Sequence, residues 1–256
     1  MKNYKFLITI FLPLHVICIF LLIYGAFSWY SIFLFLLGYI FIGGLGVAIG
    51  LHRWAAHRSF EVNFLAKKIL LFASIMSCQG HPIWWAAVHR GYHHKYSDTD
   101  KDEHSPMIHG KWHAFLGWVL KHDPKKINYK YAADLLKDHS MTGTAKYYEL
   151  IIYATWAISA AISLEFLLWF FIIPAIFAFH GEGLVNTFCH SSGGYKNFNT
   201  KDNSKNVPLL GLIFWGNGWH NNHHYKSSSF DFGKSVSGKK WEFDPCTIFL
   251  PLIKKS

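Results

Sequence analysis

The sequence predicts an all-α integral membrane protein, with four transmembrane helices in two hairpins and a cytosolic helical cap, forming a single domain over residues 1–256. Three observations predict it. The chain is 52% hydrophobic and 18% aromatic against 16% charged, with a mean hydropathy of +0.16, a balance that fits membrane spans joined to a sizeable polar part. Two long stretches carry no basic residue. The basic residues fall in the segments that flank and separate those stretches.

From Phe6 to His52, 47 residues pass without an Asp, Glu, Lys or Arg. One helix of that length would measure roughly 70 Å, whereas a bilayer core is about 30 Å thick. The chain must therefore turn, and Gly25 to Ser28 are the natural place, giving spans at 6–24 and 30–51. Between Lys146 and Lys196 there is again no Lys or Arg, and only Glu149, Glu165 and Glu182 are charged. The step from Ser163 to Glu165 divides this run into spans at 147–163 and 166–189. The N-terminus is read as the first span rather than as a cleaved signal peptide, because the apolar run is too long and no small-residue cleavage site follows it.

Orientation follows from charge. Of 25 Lys and Arg, 2 precede the first span, 14 lie between 51 and 147, and 9 lie from 196 onward. With none in either hairpin turn, the positive-inside rule puts both termini and the polar segments 52–146 and 190–256 in the cytoplasm as the cap. The net charge of +10 then faces one membrane surface and attracts anionic lipid head groups. The basic residues are scattered, which argues against a nucleic-acid partner. The stretch FLAKKILLFASIMSC at 64–78 is amphipathic and is read as interfacial or as a short core helix, not as a span. Cys18, Cys78, Cys189 and Cys246 show no C-x-x-C spacing and are expected as free thiols.

The chain holds 17 histidines, and three clusters stand out: HRWAAH at 52–57, HRGYHH at 89–94 and HNNHH at 220–224. A lone histidine is better read as surface or hydrogen-bonded, and that reading is kept for His15, His109, His113, His122 and His139. Clusters are different. On an α-helix His89 and His93 share a face while His94 points away, His220 faces with His223 or His224, and His52 and His57 stand about 140° apart. Each cluster thus offers ligands in two directions. The eight histidines His52, His57, His89, His93, His94, His220, His223 and His224 exceed the four to six that one ion takes, so two metals are the economical reading. Imidazole without thiolate or carboxylate favours redox-active iron in a membrane enzyme and leaves zinc open. The loop SDTDKDEHS at 97–105 begins like a calcium loop but has Glu103 and His109 where glycine and glutamate belong, and is read as a solvated loop shaping the cap.

HRWAAH, HRGYHHKYSDTDKDEHSP and GNGWHNNHH resemble the three histidine boxes of the membrane fatty acyl desaturases, the stearoyl-CoA type in particular, and LVNTFCHSSGG and KDNSKN resemble that family's linking segments. The resemblance runs from the second span to WEFD at 241–244. It implies a mushroom-shaped protein with a di-iron centre (Fe2+/Fe3+) on nine histidines, the eight above and His190. Asn186 matches a position that holds a metal-bound water, and Trp85 an aromatic that lines the acyl tunnel. Trp84, Trp215 and Trp219 join it as candidate substrate contacts at the mouth, with interfacial anchoring as the plainer role.

This chain departs from the family pattern at four places. Three residues rather than two separate His89 from His93, Asn217 stands where glutamate is usual, Glu103-His104 replaces Pro-His, and the segment YKSSSFDFGKS after His224 is atypical. These departures bear on head-group recognition more than on the ligands. The implied reaction inserts a cis double bond at carbon 9 of a saturated C16 or C18 chain carried as a thioester or acyl lipid, using O2 and two electrons. With no cluster motif or nucleotide loop in the chain, the electrons come from a separate donor of ferredoxin or cytochrome b5 type docking on the basic face. The alternatives are a di-iron lipid hydroxylase with the same ligands, or a histidine-rich zinc- or haem-binding membrane protein.

Overall fold

The computed structural model describes residues 11–25 and 27–255. The start of the predicted span 6–24 and Ala26 of the first turn lie outside them. Among the described residues every named element is helical, and strand-like pairing is limited to isolated bridges such as Tyr195 with Asn206 and Asn206 with Trp219.

Helix α1 (Leu12–Tyr24) ends at Gly25, where the backbone turns extended. Ser28 then caps α2, its Oγ accepting from the Ser31 N–H at 3.0 Å. α2 runs unbroken over Trp29–Ala56, 28 residues, and winds as a π-helix from Ile40. α3 (Phe64–Met76) packs along that π-wound half at very close range. A Cβ on Gly46 would strike the Ala73 backbone, and the Ser74 hydroxyl donates to the Gly46 carbonyl at 3.0 Å. α4 (Pro82–Val88) continues into a π-wound turn, His89–His94. α5 (Tyr148–Ile162) leads through Ser163 into α6, Leu164–Cys189, 26 residues. α7 (His220–Tyr225) carries the third histidine cluster.

The two interhelical turns meet. Ser31 and Ser28 donate from the first to the Glu165 carboxylate of the second, at 2.8 and 3.2 Å. From this end α2 and α6 run in the same direction and deliver His52 and His190 to the other, so the only charge in the second turn is spent on joining the hairpins.

Among the described residues two helices, α2 and α6, are long and apolar enough to cross a membrane. The other predicted spans are shorter as helices: α5 has 15 residues and the described part of α1 has 13, about 22 and 20 Å against a core of about 30 Å. α2 in turn runs past its predicted end at 51 to Ala56, because the cluster HRWAAH is wound into the helix instead of following it. Large apolar side chains face outward on these helices, including Phe20, Ile23, Trp29, Phe33, Leu150 and Ile158. The interior instead joins α2, α3, α4 and α6 through Leu51, Ile75, Ala86 and Phe171.

Candidate metal centre

The histidines at the ends of α2, α4, α6 and α7 fall into two groups. His52, His57, His89, His94 and His223 form one and His93, His190, His220 and His224 the other, with one nitrogen from each member lying within 4.8 Å of all others in its group. All nine residues singled out in the sequence are gathered, five and four.

The sorting differs from ideal α-helical geometry, and the π winding is the reason. An i→i+5 hydrogen-bonding pattern stacks residues five apart. The His57 N–H accordingly donates to the His52 carbonyl at 3.0 Å, and both rings enter one group. His89 likewise joins His94 and parts from His93, the reverse of the expected pairing. In α7 the winding is α-helical, so His220 and His224 share a group while His223 turns to the other.

Accounting for donors shows what the groups can hold. His220 Nδ1 lies 3.2 Å from the Asn217 carbonyl, His224 Nδ1 2.7 Å from Asp202 and His190 Nδ1 3.2 Å from Asp98. Each of these oxygens only accepts, so each Nδ1 carries the proton and each neutral Nε2 presents a lone pair. Yet His220 Nε2 stands 2.9 Å from His190 Nε2 and 3.1 Å from His224 Nε2. Lone pairs that close require a cation between them. In the other group the Nε2 atoms of His223 and His52 are 3.0 Å apart, those of His223 and His94 2.9 Å, and those of His57 and His89 2.9 Å. Two nitrogens at right angles about one ion, each roughly 2.1 Å from it, are about 3 Å apart. His93 Nε2 is buried without a protein partner, as an open ligand position would be.

At most of these rings protonation is not the cation; His93 is the exception, where against the cost of burial the Asp102 carboxylate raises the imidazole. Burial first, and the neighbouring imidazoles next, hold His57, His89, His94, His220 and His223 well below the usual imidazole range, and His224 is lowered to about 4. These are the neutral rings a metal binds. The donor set is nitrogen throughout, which suits iron and zinc alike.

The carboxylates behind the ligands were not singled out in the sequence. Asp102 is fully buried, accepting from His93 Nδ1 at 3.2 Å. Asp98, in the left-handed region at φ 58°, accepts from His190 and from the Asn203 N–H at 2.7 Å. The loop at 97–105 is therefore not merely solvated: two of its aspartates fix the tautomer of metal-facing rings. Against the cost of burial, His224 and Ser204 hold the Asp202 carboxyl below its usual range. Asp202→Ala is expected to weaken metal retention by about 10- to 100-fold, measured by chelator competition on the purified protein.

The asparagines of HNNHH secure α7. Asn206 Oδ1 accepts from the Asn221 and Asn222 N–H groups at 2.9 and 3.1 Å, and Asn222 Nδ2 donates to Glu242 at 2.7 Å. Beside the histidines runs a cavity whose wall includes Trp84, Trp85, Phe115, Trp118, Phe179 and Asn186. Trp85 stacks on His89 with ring centroids 4.5 Å apart. Trp215 and Trp219 are not on that wall. Trp215, at φ 52°, packs against Gly43 and Gly44, where an added Cβ would stand 3.2 Å from its ring. Trp219 is 1% exposed and donates to the Phe243 carbonyl at 2.9 Å. The tight turn between them sends both indoles into the packing instead of to the mouth.

The long apolar helices thus end in two polyhistidine groups that could each hold a metal ion, beside an apolar cavity. Residues 6–228 match the family model described as fatty acid desaturase. The chain is 32% identical to an sn-1 stearoyl-lipid 9-desaturase of Anabaena variabilis, over 95% of this chain and 88% of that one. It is 32% identical to an acyl-CoA C20 Delta5-desaturase of Anemone leveillei, over 94% and 76% of the two chains. A hex-5-enoyl-[acyl-carrier protein] acetylenase of Moorena producens is 30% identical over 82% and 70%. The chain belongs to the fatty acid desaturase family.

Proposed function

We propose that the protein is a four-span membrane desaturase, a single domain over 1–256, that introduces a cis double bond at carbon 9 of a saturated C16 or C18 acyl chain. The observation that carries this reading is the pair of polyhistidine groups facing an apolar cavity. In it, His52, His57, His89, His94 and His223 hold one iron ion, and His93, His190, His220 and His224 the other, with Asn186 reaching the second through a water. Bound there, two irons supply the O2 and redox chemistry of hydrogen removal from adjacent methylenes. The chain's own residues do the rest. Trp84 and Trp85 bend and hold the acyl chain so that geometry selects the carbons. Asp98, Asp102 and Asp202 keep the ligand rings in the metal-binding tautomer. The substrate is an acyl-CoA, acyl-carrier or acyl-lipid molecule, and the two electrons come from a separate ferredoxin or cytochrome b5 type donor drawn to the basic cap.

In the proposed topology α1, α2, α5 and α6 cross the bilayer, with the shared turns on the far side and the histidines and both termini on the cytoplasmic side. Single cysteines placed at 28, 110 and 240 should then label from opposite sides, 110 and 240 from the cytoplasm and 28 from the other face; labelling of 110 and 240 from different faces contradicts it.

Gas chromatography with mass spectrometry of lipids from cells expressing the chain tests the reaction. New cis-9 C16:1 or C18:1 is expected. A double bond elsewhere would overturn the position, and hydroxylated chains alone would overturn desaturation.

A further inference from the structure

An ionisable side chain inside a span calls for a partner and a purpose. Glu182 lies in α6, four residues before Asn186 and eight before His190, so the three share one face of the helix. It lines the cavity, and its Oε1 accepts from Asn217 Nδ2 at 2.7 Å. Asn217 is 1% exposed and touches both metal groups. Its side-chain oxygen lies 3.1 Å from His52 Nδ1 and 3.2 Å from Arg53 Nη1, and its backbone carbonyl 3.2 Å from His220 Nδ1.

The orientation of this amide matters. Turned as it is, the oxygen meets two N–H donors and the NH2 meets a carboxylate. Turned over, the NH2 would face the Arg53 guanidinium, which only donates, and the oxygen would face the Glu182 carboxylate, so that both of these contacts become repulsive. An asparagine oxygen on His52 Nδ1 keeps the proton there and leaves Nε2 free toward His223, 3.0 Å away.

We propose that Glu182 is a positioning residue for the five-histidine group: it fixes the Asn217 amide, which fixes the His52 ring and its tautomer. This rests on the metal reading above. Glu182 does not touch an ion; it acts through Asn217. Without it the buried NH2 loses its acceptor, the amide is free to rotate, and the lock on His52 weakens.

The test is iron release to a coloured ferrous chelator from wild type, E182L, E182Q, N217A and E182L/N217A, each in lipid nanodiscs. E182L should release one of two ions about tenfold faster than wild type, the size usual for lost outer-shell support. E182Q should follow wild type, since the glutamine carbonyl still accepts from Asn217. The double variant should release no faster than N217A, because both changes act through one amide. Should E182L not fold, E182T, which is shorter, is held to the same criteria. Release from E182L matching wild type, or effects that multiply in the double variant, would overturn the inference while leaving the metal reading intact. A wild type that holds no iron would sink both.

Discussion

His223→Ala is expected to abolish desaturation and strip iron from the five-histidine group while leaving the protein in the membrane. His223 is fully buried, and its Nε2 stands within 3.0 Å of the Nε2 of both His52 and His94, so it links rings from α2 and α4. Its contacts are with other histidines and Phe232, not with the outward apolar face of a span. Losing an outer-shell group costs roughly 10- to 100-fold in metal affinity or activity, and losing a ligand should cost more. His93→Ala is expected to act alike on the other group. His139, exposed at the surface, serves as the control, and His139→Ala should keep wild-type product and iron. Product analysis and iron content on the same preparations check all three, and full turnover by His223→Ala would remove that residue from the site.

Asp244→Ala should be the most destabilising single change outside the histidines. Arg53 and Asp244 pair at 2.7 Å with both side chains at 0% exposure. The guanidinium also donates to the carbonyls of Phe230 and Ala48, each at 2.8 Å, and lies 3.9 Å over the Phe232 ring. The Asp244 carboxylate accepts from the N–H groups of Phe232 and Cys246 at 2.9 and 3.0 Å. This one pair pins the 230–246 segment to the end of α2, directly beside His52. Removing the carboxylate leaves a buried cation unpaired, at a cost of about 3–5 kcal/mol. Heating in detergent followed by size exclusion should show a large fall in the midpoint; an unchanged midpoint would mean the pair carries no such burden.

Much of this arrangement is legible in the sequence, and the exceptions have physical causes. Eight of the histidines can be found because imidazole at close spacing is rare outside metal sites, and His190 through the resemblance of LVNTFCHSSGG to a family segment. Which of them share a group cannot be read with α-helical angles, since His52–His57 and His89–His94 are wound as π-helix, with residues five apart stacked. Asp98 and Asp102 look solvated because alternating acids with polar residues such as Thr99 and Lys101 between them usually are. Their burial depends on histidines brought from elsewhere. One signal was available: three aspartates within five positions directly after a histidine cluster are candidates for its outer hydrogen bonds. Trp215 and Trp219 share a sequence neighbourhood with the ligands but not a direction, because a left-handed backbone at Trp215 and the tight turn after it aim them into the protein. Asn217, where glutamate was the family's habit, becomes intelligible only beside Glu182, from a helix 35 residues away in the chain.

The most direct measurement is elemental analysis of the purified protein in lipid. Two irons per chain are predicted, falling to one or none in His223→Ala and His93→Ala. A single ion per chain, or zinc in both groups of an active protein, would contradict a centre built from two iron sites.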